Sequence, residues 1–136
     1  TSVYRGAGMH FVAHGEGKVY WHNNHLYVEP IGPFNLKGAL FFNEQIENVV
    51  VAKPVEHWCR FEIFNSLDTL GPMEAVASLN HTFVQSKKHG CSLVCLVGGN
   101  IAMRETIKAA CNAIELAAIE FDTVQNAEHY ALTIGG

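Results

Sequence analysis

The chain has 136 residues, of which 49% are apolar and 16% charged, with a formal net charge of −4. Such a composition argues for a folded globule and against a disordered chain. The 9 Lys and Arg are scattered, only Lys87 and Lys88 being adjacent, so no cationic cluster can hold a nucleic-acid backbone. Every apolar run is broken by charge or Gly well short of the roughly 18 residues that a membrane span needs.

One domain fits this length. Residues 1–8, T-S-V-Y-R-G-A-G, precede Met9 and read as a vector-derived or disordered leader, leaving residues 9–136 as the domain. Cys59, Cys91, Cys95 and Cys111 each sit among apolar neighbours, as reduced core thiols do. No signal peptide is visible, and the expected compartment is the reducing cytoplasm.

Between Lys18 and Ile31, apolar and polar positions alternate on both sides of Asn23-Asn24, predicting a hairpin with a two-residue turn. G-P-F-N (32–35) closes it and opens a helix capped by Asn35. Leu36, Leu40, Gln45-Ile46 and Val49-Val50 mark the expected inner stripe as far as Ala52; Asn43, Glu44 and Glu47 mark the solvated side. Pro54 ends the helix.

His57 to Phe64 reads as a strand with His57, Cys59, Phe61 and Ile63 on one side. Arg60 and Glu62 share the other with Trp58 and Phe64, so that side is expected to stay partly wet or to meet a partner. N-S-L-D-T-L-G-P (65–72) leads into one helix, Pro72 to His89, with Met73, Val76, Leu79-Asn80 and Phe83 inward. Gly90 stops it. C-S-L-V-C-L-V (91–97) is apolar enough to be the central strand, parallel to 57–64 through a right-handed crossover.

G-G-N (98–100) opens a third helix, Ile101 to about Leu116, with Ile107, Ala110-Cys111 and Ile114 inward. A short strand, Ala118 to Phe121, and a helix over Ala127–Leu132 capped by Asn126 complete the chain. The fold class is α/β: a mixed sheet of about five strands with four helices.

In this order of elements the chain resembles the STAS fold, closest to SpoIIAA-like small bacterial proteins and distantly to CRAL-TRIO domains. Gly32 and Asn35, Trp58, G-P-M-E-A (71–75) and F-D-T-V-Q-N-A-E-H-Y-A-L (121–132) carry the resemblance. It implies a non-enzymatic regulatory or binding module. Anti-sigma antagonists of that family carry a phosphoacceptor Ser in an Asp-Ser pair where the middle strand meets the second helix. Here Ser66 and Thr69 are the hydroxyls in that region, and neither lies in an Asp-Ser pair. A phosphorylation-controlled switch is therefore a secondary reading.

Three helix-opening loops should meet at the carboxyl edge of the sheet, where open α/β folds bind ligands and helix N-termini favour anions. The candidate binding residues are Asn35, Ser66, Asp68, Thr69, Gly71, Gly99 and Asn100, rimmed by Phe34, Leu67, Leu70 and Ile101. They suit a protein partner with an acidic or phosphorylated segment, or a lipid-like, acidic-headed small molecule. Asp68 can cap the second helix itself and compete for those amides.

The other constellations are thinner. Cys59 with His57 would be the nucleophile and base of an unrecognised enzyme. Cys91 and Cys95, four apart on one strand, are expected on the same face about 13 Å apart. His22 and His25 oppose each other across the turn, with His10 and His14 nearby in sequence, but without Cys or carboxylate spacing for a complete metal site. Neither a metal nor a cofactor is expected. Trp58, Phe64, Phe41, Phe42 and Tyr20 suggest a homodimer surface.

Overall fold

Asn23 and Asn24 both adopt positive φ, 51° and 64°, and turn the chain between β1 (Glu16–His22) and β2 (His25–Ile31). That is the geometry of a two-residue hairpin loop, and it pairs His22 with His25 in an antiparallel ladder. The structure, a computed structural model, describes residues 15–53, 56–65 and 73–134. The predicted leader, His10, His14 and Pro54 lie outside them.

Beyond the hairpin the chain runs α1 (Leu36–Ala52), β3 (Trp58–Phe64), α2 (Met73–Ser78), α3 (Asn80–Lys88), β4 (Cys91–Gly98), α4 (Ile101–Ala113), β5 (Ala117–Phe121) and α5 (Val124–Thr133). The sheet has five strands in the order β1-β2-β3-β4-β5, with β2 to β5 mutually parallel. The mixed α/β sheet is as expected, but its middle strand is β3 rather than the 91–97 strand. Helices α1 to α4 cover a front face, whose core includes Phe42, Ile46, Trp58, Phe83, Leu96 and Ile107. α5 lies on the rear face with Tyr27, Cys59, Phe61, Cys95 and Val97.

β3 corrects the expectation of a wet face, for all seven of its residues are buried. Arg60 (0% exposed) and Glu62 (1%) pair at 2.5 Å. Arg60 also donates to Ser86 Oγ at 3.0 Å and lies 4.2 Å over the Phe83 ring. Two charges on one strand face can thus neutralise each other under a helical layer. Arg60 Nε and Glu62 Oε2 are buried without a hydrogen-bond partner.

In α1 the buried stripe is Gly38, Ala39, Phe42, Asn43, Ile46 and Val50. Leu36 (43%) and Leu40 (53%), expected inside, are exposed, while Asn43, expected outside, donates to Ser78 Oγ at 2.8 Å. Phe42, Trp58 and Phe64 are core residues too, leaving only Tyr20 and Phe41 of the proposed dimer aromatics at the surface. Trp58 donates to the His89 carbonyl at 2.7 Å and meets Trp21 edge-on at 4.9 Å.

The helix expected over 72–89 is broken at Leu79. Ser78 Oγ donates to the Ala75 carbonyl and Thr82 Oγ1 to that of Leu79, each at 2.7 Å, and such back-bonding competes with the i−4 ladder. Asn80, assigned to the inner stripe, is exposed. α5 begins at Val124, earlier than expected. Its cap is Thr123 rather than Asn126, whose own amide donates to Thr123 Oγ1 at 3.0 Å.

Trp58 pairs with Cys91 but Cys59 pairs with Leu93, so Ser92 is an extra residue in β4. The bulge reverses the alternation. Cys91 consequently belongs to the front core and Cys95 to the rear one, correcting the expectation that both face one way.

Candidate functional site

β2, β3 and β4 are parallel, so Ile31, Phe64 and Gly98 end at one edge of the sheet. α1 and α4 begin from that edge, each behind an extended Asn. Asn35 Oδ1 accepts from the Gly38 amide and Asn100 Oδ1 from the Met103 amide, both at 2.8 Å. The two asparagines therefore serve as N-caps.

Gly98 and Gly99 make the turn between β4 and α4, with φ of 78° and 79°. A Cβ on Gly98 would fall 2.2 Å from the Phe64 carbonyl oxygen, so β4 and β3 approach here as only glycine permits. Arg104 buttresses the turn, donating to the Gly99 carbonyl at 2.6 Å and to Glu120 at 2.7 Å. Hydrogen bonds from Lys108, then Arg104, hold the Glu120 carboxyl below its ordinary range.

Of the seven expected binding residues, Asn35, Gly99 and Asn100 come together on this edge. Ser66, Asp68, Thr69 and Gly71 fall in 66–72, outside the described residues, as do Leu67 and Leu70 of the rim. Phe34 is not part of the rim: it is buried and stacked on Phe42 at 5.4 Å. Ile101 is 72% exposed, and Ile31, Leu36 and Leu40 join it as exposed apolar side chains around the first turns of α1 and α4. Sequence reasoning missed Leu36 and Leu40 because it assigned both leucines to the core. Neither first turn holds a carboxylate; each carries a cation instead, Lys37 in α1 and Arg104 in α4.

The Cys59 neighbourhood also differs from expectation. His57 lies outside β3, exposed, with φ 59°. The imidazole beside Cys59 belongs to His25, whose Nδ1 accepts from the Cys59 amide at 2.9 Å. Cys59 and Cys95 share the rear core; Cys95, followed by His25, draws the Cys59 thiol down, while Cys59 and burial push the Cys95 thiol up. Across this face Tyr20 stacks on Tyr27 at 5.3 Å, and Tyr27 on Phe61 at 4.7 Å. Burial, with Glu29 accepting from its hydroxyl, pushes Tyr20 up to about 12.

Among the described residues, no three His, Cys, Asp or Glu side chains converge on a metal site, and no helix is long and apolar enough to cross a membrane. No protein-family model matches the chain, and no curated protein matches it.

Proposed function

We propose that the domain is a non-enzymatic binding or regulatory module that receives an acidic-headed amphiphile, or an acidic partner segment, at the carboxyl edge of its sheet. The observation that carries this reading is Ile101, 72% exposed immediately after the Asn100 cap. Ile31, Leu36 and Leu40 extend the apolar surface, while the helix amides and the Lys37 charge favour negative charge nearby. STAS-like regulators are the class to which this reading assigns the chain, on the sequence resemblance given above. The buried free thiols accord with a reducing compartment. Self-association would draw on Tyr20 and Phe41.

Octanoate, an eight-carbon chain ending in a carboxylate, is a suitable probe. Titrated into the isotope-labelled domain, it should give saturable amide shifts confined to residues 31–40 and 98–104. Shifts spread over the molecule, or none on this edge, would overturn the proposal.

An enzyme reading has one observation in its favour, the His25 imidazole beside Cys59, although its Nδ1 accepts from the Cys59 amide and not from the thiol. That cysteine is fully buried, however, and no substrate reaches it in this arrangement.

A further inference from the structure

β1 is an edge strand. Among the described residues nothing pairs with its outer side, and its register with β2 runs unbroken from Glu16 to His22, without a bulge or a proline in β1. Such an edge is a template for another strand. β5, at the opposite edge, is blunted: it has five residues, and Arg104 and Lys108 close on its Glu120.

The hairpin dictates which groups β1 offers. A two-residue turn closes on a hydrogen-bonded pair, here His22 and His25, so Tyr20, Lys18 and Glu16 also face β2 through their backbone groups. Gly17, Val19 and Trp21 therefore turn their amides and carbonyls outward. Beside this row runs an open groove of about 570 Å³, lined by Gly17 and Val19 of β1 and by Gln45, Asn48 and Val49 of α1.

We propose that β1 docks on β1 of a second copy of this chain, antiparallel, with the two Val19 residues on the dyad. Charge complementarity selects the register. It sets Glu16 opposite His22 of the second copy, and Lys18 opposite the exposed ring of Tyr20. Asn23 Nδ2 donates to His22 Nε2 at 3.2 Å, which leaves Nδ1 as the ring's donor toward the carboxylate. These are the non-hydrogen-bonded pairs, whose side chains approach most closely. Gly17, with no side chain, falls opposite Trp21. Sliding one copy by two residues puts Lys18 opposite itself in one direction and opposite His22 in the other. Neither slip gives Glu16 a cation.

Docked in this way, the two sheets become continuous and the α1 helices face each other across the groove. Phe41, exposed beside Gly17, adds apolar area to that seam. The interface gives a geometry to the self-association named above, and it stands or falls separately from octanoate binding at the carboxyl edge.

The experiment follows amide hydrogen exchange in the full chain by NMR, at about 500 μM and at about 20 μM, alongside sedimentation equilibrium. The Val19 amide should exchange at least ~2-fold more slowly at the higher concentration, as mass action requires, while the Tyr20 amide is protected equally at both. Glu16→Lys should weaken the dimer at least ~10-fold, because like charges then face each other at both ends of the seam. Adding His22→Glu to that variant should restore the affinity, since only this register sets the two side chains opposite. A chain that sediments as a monomer at both concentrations would overturn the proposal. So would a dimer whose Val19 amide exchanges as fast as the monomer's, which would place the interface elsewhere. Protection of Val19 that ignores concentration would equally overturn it, as would a double variant no stronger than Glu16→Lys. The exchange and sedimentation readings use the unaltered chain, so a variant that fails to fold cannot hide the answer.

Discussion

Arg60 and Glu62, two residues apart on the front face of β3, pair at 2.5 Å with neither side chain in contact with solvent. Coulomb attraction and the Ser86 contact offset the desolvation of two charges, but the cation and the carboxylate depend on each other. Arg60→Met should therefore destabilise the domain by about 3 kcal/mol near pH ~8, where Glu62 would be left as an unpaired buried anion. Urea unfolding of the variant tests this, and an unchanged midpoint would show the pair to be dispensable.

The same pair predicts a pH dependence. Burial pushes the Glu62 carboxyl above its ordinary 4.5, against the pull of Arg60. A carboxyl raised by folding holds its proton more tightly in the native state than in the unfolded chain. Its contribution is complete below the unfolded value and is lost as pH rises through the folded one. Wild-type stability should thus fall as pH climbs above 4.5, and Glu62→Gln should flatten that slope. A variant with the wild-type slope would assign the effect to other groups.

Gly98 holds a left-handed φ of 78°, with the Phe64 carbonyl where a Cβ would be. Gly98→Ala should cost about 2 kcal/mol or more, from backbone strain and from pushing β3 and β4 apart. A thermal scan reads the loss directly, and a melting temperature within a degree of wild type would contradict the close approach.

α5 docks through Ala127 and Ala131, both sealed against the rear core. Ala131→Leu adds volume where none is available and should cost about 1–3 kcal/mol. Hydrogen exchange should show the loss confined to α5, with β3 and β4 still protected. Equal loss across the sheet would mean that α5 and the sheet unfold as one unit.

Local chemistry made the hairpin legible, because Asn23-Asn24 between alternating runs has few other readings. The helix caps Asn35 and Asn100 were legible for the same reason. The inner face of α1 was not. Gly38 and Ala39 give no hydrophobic signal, and Leu36 and Leu40 give a strong one from the wrong side of the helix. Arg60 and Glu62 read as wet because strand alternation cannot register that two charges satisfy each other. Cys91 and Cys95 were placed on one face because a bulge at Ser92 leaves no mark in an apolar run. His25, remote in sequence from Cys59, could be found only from the parallel pairing of β2 with β3. At the candidate site, the capped helix starts and Ile101 of the apolar rim were foreseen, and the exposed Ile31, Leu36 and Leu40 were not.

The central claim is that the carboxyl edge around Ile101 is the working surface, and calorimetric titration with octanoate tests it most directly. Ile101→Asp places a carboxylate at the apolar side chain beside the Asn100 cap. Leu132→Asp makes the same change at an equally bare leucine, 74% exposed on α5 at the rear. Ile101→Asp should weaken octanoate binding at least ~10-fold, a loss of about 1.4 kcal/mol, while Leu132→Asp leaves it unchanged. Equal weakening in both variants, or undiminished binding to Ile101→Asp, would contradict the account.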